Sequence, residues 1–161
     1  IALRRLNGAD ASDWYTPFDN VRIRLSEEGT LIIHAPNVCA EELKTNDIAK
    51  INEEGKFRIL GRKDNMINSG GVKIQIEQVE ATLKAHLDIP FQITARKDAK
   101  FGEIVVLIYN KVGNEDDIRR VCESELPTYW VPKAYIAVDE LPMTGTGKPD
   151  RASARRRANG Q

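Results

Sequence analysis

Gly61-Arg62-Lys63-Asp64-Asn65-Met66-Ile67-Asn68-Ser69-Gly70-Gly71 divides the chain into two segments of different grammar. Its polar, charged, glycine-ended composition suits a swivel better than a packed element. Before it, apolar residues alternate in short runs broken by polar turns. After it, their spacing changes to three and four, the interval of a helix with one buried face. The change of period predicts one domain over residues 1–62 and a second over residues 63–161.

Upstream, Val21-Arg22-Ile23-Arg24-Leu25 alternates strictly, placing Val21, Ile23 and Leu25 on one side and the arginines on the other. Glu28-Gly29-Thr30 supplies a hairpin turn and Leu31-Ile32-Ile33-His34 the returning strand. A second hairpin runs from Asp47–Ile51 through the turn Asn52–Lys56 into Phe57–Leu60. Ile1–Leu6 is a further short strand candidate. Such strands predict an antiparallel β-subdomain, for which closure into a small barrel is one arrangement. No long helix is expected before residue 75.

Downstream, Met66-Ile67 and Val72-Lys73-Ile74 flank Asn68-Ser69-Gly70-Gly71 as a tight hairpin. Ile76, Val79, Leu83 and Leu87 mark an amphipathic helix over Ile76–Leu87. Phe91–Arg96, Ile104–Asn110 and Tyr135–Val138 read as strands. Between the last two, Asn114 can cap a helix reaching Glu125, with Asp116 and Asp117 in its first turn and Leu126-Pro127 as its stop. The fold class expected is α+β, a β-subdomain followed by a small α+β domain with a three-stranded sheet and flanking helices.

Composition excludes several function classes. The 161 residues carry 24 basic and 24 acidic side chains, a net charge of zero that argues against a protein built to grip nucleic acid. A hydrophobic fraction of 41%, charged residues at 30% and a mean hydropathy of -0.44 describe a packed core under a charged surface. The apolar run Ile104–Tyr109 falls far short of the ~20 residues that cross a bilayer, so no membrane partner is expected. Cys39 and Cys122 lack ligands at metal spacing, and read as reduced, half-buried thiols of a cytoplasmic protein with no metal site. His34 and His86 read as ordinary structural residues.

The chemistry-bearing candidate is Thr144-Gly145-Thr146-Gly147-Lys148-Pro149-Asp150-Arg151. A lysine in a glycine-rich loop is a mobile point charge with three donors, suited to phosphate or carboxylate oxygens. The phosphate-loop pattern G-x-x-x-x-G-K-[ST] fails twice, at Pro142 and Pro149. By itself the loop is equally a solvated surface turn.

Its context carries more. Leu126-Pro127-Thr128-Tyr129-Trp130-Val131-Pro132, followed by Leu141-Pro142 and Thr144–Arg151, resembles the last two motifs of the adenylate-forming superfamily of acyl-CoA synthetases, peptide-synthetase adenylation domains and luciferases. Gly61-Arg62-Lys63-Asp64 with Ile67, Gly71, Ile74, Glu77, Val79 and Glu80 resembles its hinge motif. Lys44-Thr45-Asn46-Asp47 resembles the motif just upstream. The four occur in the family's order.

The resemblance implies roles. Asp47 would accept the ribose hydroxyls of ATP, Arg62 would reach the ribose or phosphates, and Asp64 would be the pivot. Lys148 would bridge the substrate carboxylate and the α-phosphate, and Gly70 and Gly71 would line the pantetheine channel. Without it, Asp47 is a turn aspartate, Arg62 a surface ion-pair partner and the glycines a plain turn. Asn46 departs from the family's usual Gly and Ile76 from its usual Pro.

The family's phosphate loop and Tyr-Gly-x-Thr-Glu-like motif are not found, so the chain resembles the carboxyl-terminal third of such an enzyme. Its expected partners are the N-terminal domain of the same protein, a small carboxylic acid, ATP with Mg2+, and CoA. None is expected bound tightly, and the piece alone is expected to be inactive. Ile1–Gly8 and Ser69–Ile74 resemble o-succinylbenzoate–CoA ligases of menaquinone synthesis. Two other readings stand beside this one. The first is an adenylation domain loading a carrier-protein thiol. The second is a nucleic-acid or partner-binding module using Arg151, Arg155, Arg156 and Arg157, which otherwise form a final amphipathic turn and frayed end.

Overall fold

The alternation at residues 21–25 becomes strand β3 (Arg22–Leu25), whose apolar face joins Val21, Leu31, Ile33, Ala49 and Phe57 in a small core. In the computed structural model, which describes residues 1–160, this core belongs to the first of two compact units, Ile1–Asp64; the second starts at Asn65. Strands β1 (Ala2–Leu3) and β2 (Thr16–Pro17) pair at the start of the chain. Strands β3, β4 (Thr30–His34), β5 (Leu43–Ile51) and β6 (Phe57–Arg62) form an antiparallel meander. Its order is open rather than barrel-closed, and Tyr15 stacks on Phe57 with ring centroids 5.3 Å apart.

The second unit is organised on β10 (Gly102–Asn110). Strand β9 (Phe91–Asp98) lies antiparallel along one edge. The other edge is shared by β11 (Ala134–Val138), parallel over Val106–Asn110, and by β7 (Met66–Ser69), which meets Gly102. Strand β8 (Val72–Gln75) pairs with β7. The three strands legible in the sequence are therefore joined by the hairpin, making five. Ile104, Val106 and Ile108 face one side of the sheet and Val105, Leu107 and Tyr109 the other, so the continuous apolar run reports burial on both faces.

Helix α1 (Ile76–Lys84) and helix α2 (Glu115–Glu125) cover one face, burying Val79, Leu83, Ile118 and Cys122. α1 ends three residues earlier than its period predicts. Its last turn is tightened by bonds from His86 and Leu87 to the Leu83 carbonyl, Pro90 follows shortly, and Leu87 still packs on the core. α2 begins as expected, with the Asn114 side chain accepting from the Asp117 amide at 3.2 Å.

The opposite face is covered by helix α3 (Arg151–Ala158), where a final turn and frayed end were expected. Asp150 caps it, and Ala154 and Ala158 pack beneath β10 and β11. The small side chains allow close approach that a hydrophobicity pattern does not reveal. Two further expectations change. The glycine-ended stretch is in part a packed element, because Met66–Ser69 is a sheet strand with Ile67 fully buried. The cysteines are not half-buried alike: Cys39 is exposed, while Cys122 is enclosed and burial pushes its thiol up, away from the reactive thiolate. Among the described residues, no helix is long and apolar enough to cross a membrane.

Candidate functional site

A register shift between Ile48 and Ala49 sets Asp47 directly opposite Arg62 across β5 and β6. The guanidinium reaches Asp47 Oδ1 at 3.2 Å and Asp64 Oδ2 at 2.9 Å. Asp64 also accepts from the Asn46 amide at 3.4 and 3.2 Å. Thr45 braces the strand, donating its hydroxyl to the Leu31 carbonyl and accepting from the Asp47 amide. Asp47 and Arg62 remain one-third and one-half exposed, so an incoming hydroxyl or phosphate can exchange with their mutual bond. Asp47, Arg62 and Asp64 are thus one cluster of the first unit.

The next residue changes allegiance. Lys63 holds Glu28 at 2.7 and 2.8 Å within the first unit, whereas Asn65 donates to Glu77 of α1 in the second. Glu77 also accepts from Gln75 at 2.6 Å. The division between the units falls on the Asp64–Asn65 peptide.

Gly70 and Gly71 form the two-residue turn between β7 and β8, with φ of +58° and +85° and Ser69 paired to Val72. Two positive φ angles make the turn twist with the hairpin, and glycine meets both without a Cβ penalty. The Gly70 amide donates to the Phe101 carbonyl at 2.8 Å, and a Cβ on Gly70 would stand 3.3 Å from the Phe101 ring. Asp98 fixes that ring's turn by accepting from the Lys100 and Phe101 amides, bonds that lower its carboxyl pKa. The turn is exposed.

Lys148 lies in a closed loop. Met143 bridges Pro149, the Thr144 amide donates to the Lys148 carbonyl at 2.7 Å, and Gly147 turns the chain at φ +75°. The lysine is exposed, and its ammonium has no partner among the described residues. Gln92 touches the base of this loop, whereas Phe101 and Gly102 hold the glycine turn. From Gln92 to Asp98 along β9 is about 20 Å at strand rise, so the two features occupy opposite ends of the same strand pair.

Sequence reasoning missed Glu80 and Gln92 as partners of this loop. Glu80 stood out only as part of the hinge-motif resemblance, and Gln92 only as a polar residue between Phe91 and Ile93. The basic tail is also largely committed. Arg151 pairs with Glu80, Arg155 with Glu103, and Arg156 bonds Ser153. Two of the four charges on which a nucleic-acid reading drew are thus paired with carboxylates.

Residues 76–148 match the AMP-binding enzyme C-terminal domain, a span that opens on the first residue of α1 and closes on Lys148. That span is an AMP-binding enzyme C-terminal domain. An L-proline–[L-prolyl-carrier protein] ligase of Pseudomonas fluorescens is 28% identical over 91% of this chain and 32% of its own. A 2-succinylbenzoate–CoA ligase of Listeria monocytogenes is 24% identical over 84% of this chain and 33% of its own. Among solved structures, an acyl-CoA synthetase (AMP-forming)/AMP-acid ligase II-like protein from Dyadobacter fermentans is 30% identical, with a TM-score of 0.53 over 95% of this chain and 46% of that one. The chain thus spans about a third of these two curated relatives. The AMP-binding C-terminal match covers α1, β9, β10, α2, β11 and the lysine loop. It leaves Asp47, Arg62, Asp64, Gly70, Gly71 and α3 outside.

Proposed function

We propose that this chain is the C-terminal part of an ATP-dependent acid–thiol ligase, and that Lys148 serves its adenylation step. The observation that carries this reading is an exposed lysine in a closed loop, with no partner among the described residues, at the last residue of the AMP-binding C-terminal match. A carboxylate oxygen of the acid attacks the α-phosphorus of ATP, the bond to pyrophosphate breaks, and an acyl-adenylate forms. The Lys148 ammonium lies between carboxylate and α-phosphate and stabilises charge that grows in that transition state. Asp47 accepts the ribose hydroxyls, Arg62 lies beside them, and magnesium arrives on the ATP phosphates.

In the second step a thiol attacks the acyl carbonyl, AMP leaves with the bonding electrons, and the thiol proton passes to solvent. Gly70 and Gly71 line the path of the thiol arm, where absent side chains leave room for it. The second unit turns about Asp64 between the steps, exchanging one end of the β9–β10 pair for the other. The acid is o-succinylbenzoate and the thiol CoA, a choice supported by the 2-succinylbenzoate ligase relative. Loading of a carrier-protein thiol is the second reading, favoured by the higher identity of the prolyl-carrier ligase.

Lys148→Ala in the whole enzyme tests the core of the proposal. Pyrophosphate release should fall by about 10²–10³-fold, while thioester formation from supplied adenylate stays near wild type. Equal loss of both steps would refute the role given to Lys148. Supplying CoA and a carrier protein in parallel assays decides the acceptor. The 161-residue chain alone should release no pyrophosphate.

A further inference from the structure

The lysine loop stands on two buried feet held by adjacent residues of β9. At the first foot Gln92, only 2% exposed, donates its amide to the Pro142 carbonyl at 2.8 Å and to Met143 Sδ at 3.4 Å. At the second, Arg151 forks onto both carboxylate oxygens of Glu80, at 2.5 and 2.7 Å, and reaches the Ile93 carbonyl at 3.2 Å. Glu80 is 6% exposed and also accepts from the Ile93 amide at 3.0 Å. The feet are tied to each other by the Asp150 amide, which donates to the Pro142 carbonyl at 3.0 Å.

Physical cost makes this arrangement informative. A buried carboxylate and carboxamide and a partly buried guanidinium are each expensive to desolvate, and apolar side chains of similar volume often serve stability as well or better. What apolar packing cannot supply is direction. A planar fork gripping a planar carboxylate fixes the orientation of Arg151, the first residue of α3 and three residues beyond Lys148. Gln92 likewise fixes the direction in which the chain leaves Pro142. The one exposed charge between these anchors is the Lys148 ammonium.

We propose that Glu80, Gln92 and Arg151 are positioning residues that aim Lys148 for carboxylate adenylation. The inference rests on the adenylation role given to Lys148 above. It treats the loop as a rigid mount for a flexible side chain, so loss of a foot displaces the ammonium while the rest of the domain keeps its fold. Misplacement by about 1 Å is enough to cost ~10²-fold in rate.

The test uses Arg151→Lys, which keeps the charge and loses the fork, and Gln92→Met, which keeps the volume and loses the amide. In the whole enzyme, each should lower the kcat of ATP–pyrophosphate exchange by about 10- to 100-fold. Thioester formation from supplied adenylate should stay within about twofold, because that step does not use the loop. In the 161-residue chain, the amides of Thr144, Gly147 and Lys148 should exchange hydrogen faster in both variants. Should Arg151→Lys unfold the domain, Gln92→Met carries the same prediction alone. Unchanged exchange kinetics with a loosened loop would overturn the proposal, as would parallel loss of both half-reactions, the mark of a purely structural role. An unaffected pyrophosphate exchange in Lys148→Ala would instead sink the adenylation role itself, and the positioning role with it.

Discussion

Asn46 donates its side-chain amide to both carboxylate oxygens of Asp64, at 3.4 and 3.2 Å. The amide comes from a position where the family resemblance expects glycine, which has no side chain to offer. Together with Arg62–Asp47 and Lys63–Glu28, this bond tethers each of the last three residues of the first unit back onto it. All three tethers are exposed, so each contributes little, about 0.2–1 kcal/mol.

Removing one of them should loosen the junction locally without unfolding either unit. Asn46→Ala is expected to raise the rate of tryptic cleavage after Arg62 and Lys63 by about two- to fivefold, with little change in Tm. Mass mapping of early fragments reads this directly. An unchanged cleavage rate would mean that the amide does not restrain Asp64.

The Glu80–Arg151 pair should behave differently because it is buried. Glu80→Ala leaves a guanidinium enclosed without its counter-charge and is expected to cost about 3–5 kcal/mol in urea unfolding. Replacing both partners with methionine should cost markedly less. A double mutant as unstable as Glu80→Ala would contradict that account.

At the hairpin turn the two glycines should not be equivalent. Gly70→Val combines a β-branched residue at φ +58° with contact on the Phe101 ring, and should destabilise by about 1–2 kcal/mol or more. Gly70→Asn should be milder, because asparagine tolerates the left-handed region. For Gly71→Asn no neighbour lies within 4 Å of the added Cβ, so only the backbone term remains. Chemical denaturation of the three variants gives the order.

Asp150 caps α3 through Ser153, and those bonds hold its carboxyl below the ordinary aspartate range. A carboxylate whose folded pKa is depressed adds stability that is fully present above its unfolded value, about 3.9. That stability is lost as pH falls through the lower folded value. The Asp150 carboxyl carbon should therefore titrate below about 3.9 by NMR, and Ser153→Ala should move the midpoint back up. A wild-type midpoint at the unperturbed value would rule out the cap as the cause.

Much of the fold was legible from local pattern. Strict alternation at Val21–Leu25 and the three-four spacing at Ile76–Leu83 each report one buried face, and both elements form. Asn114 and Leu126-Pro127 delimit α2 by local bonding and sterics, and α2 starts and stops there. α3 was not legible because Arg151–Ala158 has hardly any hydrophobic pattern. Only the sheet face above Ala154 and Ala158 gives those small residues something to cover. The hairpin of Met66-Ile67 and Val72–Ile74 was legible, but its place in the sheet was not, since β7 gains a second partner at Gly102, remote in the chain.

The sequence by itself determined where the chain changes period, which loop carries a lysine between glycines, and which turn demands two residues free of Cβ. These depend on neighbours within a few positions, where sterics and spacing are set by the local chain. Tertiary structure alone decided that Asn46 meets Asp64, that Arg151 meets Glu80, and that the lysine loop and the glycine turn stand at opposite ends of one strand pair. Those relations depend on strand register and on burial. A one-residue change in register moves every side chain to the other face, and a buried charge persists only where a distant residue completes it.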